Sequence, residues 1–179
     1  MPLYFEAQQI LPYTVELVFA FFANPENLPR LMPPWQKARI EEAAFVPPPR
    51  PPAGTPLPRL GVAAGDGTRL VLTFRPVPLL PIRFPWEATI ENFRWNQGFC
   101  DVQGQGPFAY WRHCHTVEPT EVNGKPGATI TDRVEYSLPL APIMHRFDAL
   151  LVRPQIRSIF RYRQKRTLEL LGLIARHQS

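Results

Sequence analysis

Two histidines with one residue between them, His113 and His115, are the side chains in this sequence best suited to chemistry. Successive side chains of a β-strand point to opposite faces, so both imidazoles lie on one face of the run that contains them. In the next strand-like run, Asp132 and Tyr136 fall on the apolar face. One antiparallel register sets His113 opposite Asp132, and a slip of two residues sets His115 there instead. Either register predicts a histidine beside a carboxylate on an inward face.

Polar groups on a core-facing surface are unfavourable unless they are paired, by about 1–3 kcal/mol each. These residues therefore indicate either a closed hydrogen-bond network or a lined cavity. In the first interpretation, Asp132 accepts from a histidine and Tyr136 completes the network. In the second, the same side chains orient a ligand at the polar end of an apolar cavity.

Catalysis and metal binding are the two other interpretations. A histidine oriented by a carboxylate could act as a general acid or base in cyclisation, dehydration or enolisation, with a phenol donating to a developing oxyanion. The candidate catalytic residues are His113, His115, Asp132 and Tyr136. No nucleophile motif or second acid accompanies them, so we favour a non-catalytic protein. Asp101 or Asp132 could complete a two-histidine metal set, but His-x-His alone is a weak signal. We predict neither a metal nor a cofactor.

The predicted ligand-binding residues combine apolar walls with one polar end, as small-molecule pockets generally do. Aromatic side chains supply the walls, and the inward polar residues supply the end. The set is Phe74, Trp86, Phe99, Asp101, Gln103, Phe108, Trp111, His113, His115, Asp132, Tyr136 and Phe160.

A sheet and a covering helix must position these residues, and the hydrophobic periodicity predicts both. A strand over residues 3–10 precedes two short helices, with Thr14 and Asn24 as N-caps and Pro25 at the first position of the second helix. Short turns between the later strands predict an antiparallel meander. The six later strands cover residues 36–46, 68–77, 82–95, 99–103, 108–118 and 128–138.

The C-terminal region, residues 142–176, changes to helical periodicity. Ile143, Phe147, Leu150 and Leu151 suit a short helix, and Pro154 fits the first turn of a new one. An amphipathic helix of this length is the natural cover for one face of the sheet. Its apolar stripe comprises Ile156, Ile159, Phe160, Leu168, Leu171 and Ile174.

Length and composition favour a single domain over residues 1–179, with 45% hydrophobic residues to build a core. Proline is unusually frequent, at 23 residues, and the proline-rich segment 47–58 cannot be helical. We interpret this segment as a stiff surface loop in preference to a partner-binding motif.

The formal net charge is +5, and many basic residues lie in the last quarter of the chain. We interpret them as a solvated helix face, with attraction to an anionic ligand or a membrane surface as the less favoured alternative. No recognition motif or metal-finger spacing supports a nucleic-acid partner, so none is predicted.

Cys100 and Cys114 lie on the face opposite the histidines, and a disulfide between them is left open. Nothing suggests a secreted disulfide scaffold. The first residues lack the charged and apolar regions of a signal peptide, and no apolar run approaches about 18 residues. We therefore expect a cytoplasmic protein without a transmembrane span.

Several local phrases resemble the bacterial SRPBCC branch of the START / polyketide cyclase–dehydrase superfamily, and the element order matches its helix-grip fold over essentially the whole chain. The phrases are residues 12–22, 24–28, 99–103, 106–108, 111–115, 132–136 and 159–163. The resemblance implies a hydrophobic or amphipathic small-molecule ligand in an internal cavity. Some members of the superfamily are cyclases or aromatases, whereas this branch is largely without an assigned reaction. The proline-rich segment departs from the family pattern and would alter the cavity mouth or an interface.

We therefore predict an α+β protein of helix-grip fold. A curved seven-stranded antiparallel sheet would carry two short helices after its first strand, with a long C-terminal helix covering a cavity. The predicted function is binding of a lipid-like or aromatic small molecule. The alternative is a cyclase or dehydratase that uses a histidine–aspartate pair as general acid or base.

Overall fold

Seven strands form one antiparallel sheet in the computed structural model, which describes residues 2–58, 60–77, 81–140 and 146–178. The order across the sheet is β1-β7-β6-β5-β4-β3-β2. The strands are β1 (Leu3–Leu11), β2 (Arg39–Ala44), β3 (Arg69–Phe74), β4 (Phe84–Arg94), β5 (Gly98–Gln105), β6 (Tyr110–Val122) and β7 (Lys125–Ser137). The helices are α1 (Val15–Ala23), α2 (Leu28–Leu31) and α3 (Arg153–Gln178). The predicted helix-grip α+β fold is confirmed.

A two-residue turn sets the pairing of β6 with β7. Asn123 and Gly124 both have positive φ angles, of 51° and 73°. Such a pair matches the twist of the strands it joins and fixes their register. Pairing outward from this turn brings His115, and not His113, directly opposite Asp132.

Local chemistry also sets the two short helices. The Asn24 side chain accepts a hydrogen bond from the Glu26 backbone N–H at 3.0 Å, and Pro25 occupies the first position of a 3-10 turn (Pro25–Asn27) that leads into α2. This is the predicted cap, because a short amide satisfies a donor that the first helical turn leaves free. Thr14 precedes α1 as predicted but makes no side-chain capping bond.

Helix α3 follows a π-helical turn (Asp148–Val152), and Pro154 lies in its first turn as predicted. The predicted short helix before it includes Ile143, and residues 142–145 lie outside the described part of the chain. On α3 itself, Leu168 is 45% exposed, so its assignment to the apolar stripe was wrong. Thr167 takes the buried place, because steps of three or four residues from Phe160 reach 167 and 171.

Apolar side chains on the inner face form two clusters. The first contains residues of α1 with Phe93, Phe99 and Ile130, and the second contains Trp111, Val134, Tyr136 and Phe160. The rings of His115 and Phe99 are 4.7 Å apart, whereas His113 and Phe160 are 5.3 Å apart. The two histidines therefore lie where the clusters meet.

The proline-rich segment 47–58 forms neither helix nor strand. The Trp95 ring N–H donates to the Pro49 carbonyl at 2.7 Å, and the Gly65 N–H donates to the Val46 carbonyl at 2.9 Å. Hydrogen bonds thus hold the chain at Pro49 and at Val46, the residue just before this segment.

Candidate functional site

Four elements bring together five charged or titratable side chains, which we call the polar cluster. Strand β5 supplies Asp101, β6 supplies His113 and His115, β7 supplies Asp132, and α3 supplies Arg163. Asp101 pairs across the sheet with His113, and His115 pairs with Asp132. The cluster therefore depends on the register of three neighbouring strands.

Each imidazole of the cluster lies between the same two carboxylates. Asp132 Oδ1 is 3.0 Å from His113 Nε2 and 2.6 Å from His115 Nδ1. Asp101 Oδ1 is 3.2 Å from His113 Nδ1 and 3.7 Å from His115 Nε2. The side chains of the two histidines and Asp132 are at most 6% exposed, whereas that of Asp101 is 23% exposed. Among the two aspartates and two histidines, Asp101 is thus the side chain that reaches towards water.

Arg163 covers the cluster from the helix side. Its Nη2 lies 3.5 Å from His115 Nε2, and its guanidinium carbon lies 5.2 Å from the centre of the Phe22 ring. A guanidinium can only donate, so His115 Nε2 is the acceptor and the ring proton belongs on Nδ1, facing Asp132. The 2.6 Å contact between His115 Nδ1 and Asp132 Oδ1 is poorly aligned for a hydrogen bond. His115 Nδ1 therefore has no aligned acceptor among the described residues.

The electrostatics of the cluster favour charged forms despite burial. Burial alone would lower the pKa of His113, but the charges and hydrogen bonds of Asp101 and Asp132 outweigh it and raise that pKa. Burial would likewise raise the pKa of each carboxyl, but the two imidazoles, together with Arg163 near Asp132, hold both pKa values below the usual range. The raised pKa of His113 favours its imidazolium form beside the two carboxylates, and the guanidinium of Arg163 adds a second positive charge near Asp132.

Tyr136 does not complete this network, contrary to the first sequence interpretation. Four residues along a strand separate its Cα from that of Asp132 by about 13 Å. The Tyr136 hydroxyl donates instead to Asp148 Oδ1 at 2.7 Å, within a buried pair. Burial and the neighbouring Asp148 carboxylate raise the pKa of Tyr136. Tyr136 thus joins β7 to the start of the helical region.

Most of the predicted aromatic wall forms one packed group. Trp86 contacts Phe74, Phe108 and Trp111, with ring centres 5.2–5.9 Å apart. Within this group the Trp111 ring N–H is buried and has no hydrogen-bond partner among the described residues. Phe108 and Trp111 also contact Tyr136.

Two predicted ligand-binding residues lie apart from that group. Phe99 contacts Phe19 and His115 in the other apolar cluster. Gln103 donates to the Phe108 carbonyl at 2.8 Å and so holds the turn between β5 and β6. The structure therefore brings Phe99, Trp111 and Phe160 into ring contact with the two histidines. Phe74 and Phe108 pack against Trp86 instead.

An open groove of about 450 Å³ runs between β1 and α3, and we call it the β1–α3 groove. Of the predicted ligand-binding residues, Phe160 lines it. The Phe160 ring contacts Phe5 on one side, at 5.0 Å, and His113 on the other. The full lining is Tyr4, Phe5, Glu6, Ala7, Gln8, Arg153, Arg157, Phe160, Arg161 and Gln164. A second pocket, of about 510 Å³, lies beside α2 and is lined by Asn24, Glu26, Asn27, Arg30, Leu60, Gly61 and Ile174.

Sequence reasoning missed the arginines of α3 as site residues. Arg153, Arg157 and Arg161 recur every four residues and so share one helix face. Arg163 falls three residues after Phe160, within the apolar stripe, and a charge in that position is the signal that could have identified it.

Cys100 and Cys114, left open by the sequence, are joined by a disulfide between β5 and β6. They are directly paired residues, adjacent to the Asp101–His113 pair. The cross-link therefore ties together the two strands whose register sets half of the polar cluster.

Three members of the cluster could hold a metal ion. One ligand atom from each of Asp101, His113 and His115 lies within 4.8 Å of the other two. Among the described helices, none combines the length and the apolar character that a membrane crossing requires.

No protein-family model matches the sequence, and comparison with curated proteins finds no match. Solved structures do match. Norcoclaurine synthase from Thalictrum flavum aligns with a TM-score of 0.61 at 15% identity, over 100% of this chain and 98% of that one. A START superfamily protein from Mycobacterium smegmatis aligns with a TM-score of 0.59 at 9% identity, over 96% and 98% of the two chains. A nucleoside-diphosphate sugar epimerase from Corynebacterium glutamicum aligns with a TM-score of 0.57 at 21% identity, over 96% of this chain and 30% of the epimerase. These likenesses establish a START/SRPBCC-type fold, as the sequence resemblance predicted.

Proposed function

We propose that this protein binds a hydrophobic or amphipathic small molecule between its sheet and α3. The observation that carries the proposal is the β1–α3 groove, which Phe160 lines. Because the Phe160 ring also packs against His113, rotation of one side chain would connect the groove to the polar cluster. Apolar contacts from Phe5 and Phe160 would hold the body of the ligand, in keeping with the general composition of small-molecule sites.

The charge along the groove favours an acidic ligand. Arg153, Arg157 and Arg161 line one side, and Glu6 is the one acid among the lining residues. Arg153 already donates to the Tyr4 carbonyl at 2.8 Å, which leaves the other two arginines better placed to receive a carboxylate or phosphate. We therefore favour a ligand with an apolar body and one acidic group.

Unpartnered donors near the cluster support a polar ligand group. The Arg163 Nε and the Thr167 hydroxyl are buried on the inner face of α3 and have no hydrogen-bond partner among the described residues. Each such group costs about 1–3 kcal/mol if it stays unsatisfied. Neither residue lines the β1–α3 groove, so a ligand oxygen or an ordered water that removes this cost would have to pass beyond the groove lining.

The fold comparison bears on the apolar body of the ligand and not on its acidic group. One structure of norcoclaurine synthase from Thalictrum flavum is a complex with dopamine and hydroxybenzaldehyde. The fold can thus accommodate small aromatic molecules. By analogy, aromatic acids stand beside fatty acids as candidate ligands for this chain.

Calorimetric titration with dodecanoate and with a panel of aromatic acids tests the proposal. Phe160→Trp fills the inner end of the groove and should weaken binding about tenfold. Phe45→Trp is the matched control, because Phe45 is exposed and lies outside the groove. Arg157→Glu should weaken the binding of dodecanoate more than the binding of neutral dodecanol, and this difference in affinity should shrink with added salt. Absence of saturable binding by every aliphatic and aromatic compound would overturn the proposal.

General acid–base catalysis is the second candidate function. The observation that favours it is His113, which is buried between two carboxylates and has a raised pKa. His113 or His115 with Asp132 would exchange a proton with a ketone substrate in a cyclisation or dehydration. Turnover of a polyketone panel should then be lost in the double variant His113→Gln/His115→Gln and retained in His177→Gln, whose histidine is exposed on α3. Equal activity of the two variants would refute the catalytic role.

A further inference from the structure

We propose that Asp101, His113 and His115 bind a divalent transition-metal ion. Two imidazoles and one carboxylate are a donor set typical of such ions, whereas Mg²⁺ and Ca²⁺ prefer oxygen ligands. The inference does not depend on binding of a small molecule in the β1–α3 groove.

The donor atoms are close to the spacing that a metal requires. Metal–nitrogen bonds of about 2.0–2.1 Å at tetrahedral angles set neighbouring donors about 3.3 Å apart. Asp101 Oδ1 is 3.2 Å from His113 Nδ1 and 3.7 Å from His115 Nε2. One ligand atom from each of the three residues lies within 4.8 Å of the other two, so small side-chain movements would close the site around one ion.

Asp132 holds both imidazoles in the orientation that this site needs. Its Oδ1 faces Nε2 of His113 and Nδ1 of His115, the nitrogens that point away from Asp101. Ligand histidines usually direct their second ring nitrogen to a carboxylate, which fixes the tautomer and leaves the lone pair for the metal. One buried carboxylate performs this role for two rings here, which makes Asp132 a positioning residue.

Arg163 opposes metal binding and should set its affinity. Its Nη2 occupies the space beside His115 Nε2 at 3.5 Å, so a cation would have to displace it. The contact with His115 is long and Nε has no partner in the described part of the chain, so the guanidinium is held there mainly by the rings of Phe22 and Phe160, 5.2 and 5.9 Å away. The partial exposure of Asp101 offers a path for the ion and room for water as a further ligand.

The experiment uses untagged, chelator-treated protein without any organic ligand. Zn²⁺ is titrated by calorimetry, and Co²⁺ is followed by its visible absorption, which reports tetrahedral coordination. One ion should bind per chain. Asp101→Asn and His115→Gln should abolish this binding, and Asp132→Asn should weaken it about 10–100-fold. Arg163→Met should strengthen it at least about tenfold, because a positive charge is removed from the site.

His177→Gln is the control for a surface histidine and should leave the titration unchanged. Circular dichroism establishes that each variant is folded. Failure of both folded wild-type protein and Arg163→Met to bind one ion overturns the proposal, as does binding that survives Asp101→Asn with His115→Gln. Since no small molecule is present, either result leaves ligand binding in the groove as a separate question.

Discussion

His115 faces Asp132 directly across β6 and β7, with the ring Nδ1 2.6 Å from the carboxylate Oδ1. The same oxygen contacts His113 Nε2 at 3.0 Å, so one carboxylate orients both imidazoles of the strand. All three side chains are nearly excluded from water. The stability of the sheet should therefore be unusually sensitive to Asp132.

Removal of Asp132 tests that dependence. Asp132→Ala leaves two imidazoles and Arg163 without their shared carboxylate, and breaking a buried charge pair typically costs about 3–5 kcal/mol. Urea denaturation measures the loss. Glu6→Ala is the matched control, because it breaks an exposed pair with Arg133 and should cost about 1 kcal/mol or less. Equal losses in the two variants would contradict a buried role for Asp132.

The pH dependence of metal-free protein should follow His113 and the two aspartates. A lowered carboxyl pKa stabilises the folded state above the unfolded value of about 3.9, and this contribution is lost as the pH falls through the folded pKa. A raised His113 pKa stabilises the folded state below about 6.5, and this contribution is lost as the pH rises through the folded pKa. The free energy of unfolding should therefore be greatest between about pH 4 and pH 6.5 and fall on either side.

His113→Gln separates the two limbs of this pH profile. The fall above about pH 6.5 should flatten in the variant, because no imidazolium remains at that position to be deprotonated. The fall in the free energy of unfolding below about pH 4 should persist, since Asp132 still contacts His115. An unchanged alkaline limb would show that another group causes it.

Reduction of the Cys100–Cys114 disulfide should destabilise the sheet. The cross-link joins residues 14 apart, and a loop of that size contributes about 3 kcal/mol through the unfolded chain. Urea denaturation with and without dithiothreitol measures the difference, and the double Cys→Ser variant should not respond to the reductant. Hydrogen exchange at Asp101 and His113 should rise on reduction, because the bridge ties their strands. The predicted cytoplasmic location would favour the reduced form, since that compartment keeps most thiols reduced.

Tyr136→Phe should cost about 1–3 kcal/mol, because it leaves the buried Asp148 carboxylate without its donor. Thermal denaturation measures the change. Tyr4→Phe removes an exposed hydroxyl that contacts Glu135 and should leave the melting temperature nearly unchanged. Tyr136→Phe combined with Asp148→Leu should recover part of the loss, since no unpaired acid then remains.

Sequence reasoning predicted what strand alternation determines. Alternation placed His113, His115 and Asp132 on one inward face. Consecutive strands of an antiparallel meander are neighbours in the sheet, which implied that the histidines lie close to Asp132. The choice between the two registers depended on the geometry of the Asn123–Gly124 turn, which alternation alone does not reveal.

Contacts between the sheet and the helical region were beyond such reasoning. Arg163 reaches the cluster, and Asp148 reaches Tyr136, through the docking position of a helix on a curved sheet. Helical periodicity indicates which face of α3 is buried, but it does not indicate which strand residue each side chain meets. The arginines of α3 were therefore interpreted as a solvated face, although three of them line the β1–α3 groove.

The position of β1 has a consequence for the order of folding. This first strand pairs with β7, and Gln9 donates to the Gln164 carbonyl while Gln164 donates to the Gln8 carbonyl. These contacts join residues at least 117 positions apart, so closing them carries a large loop entropy. The β6–β7 hairpin has a two-residue turn and can form early, whereas β1 and α3 must dock late. The groove between them should therefore be the last feature of the molecule to form.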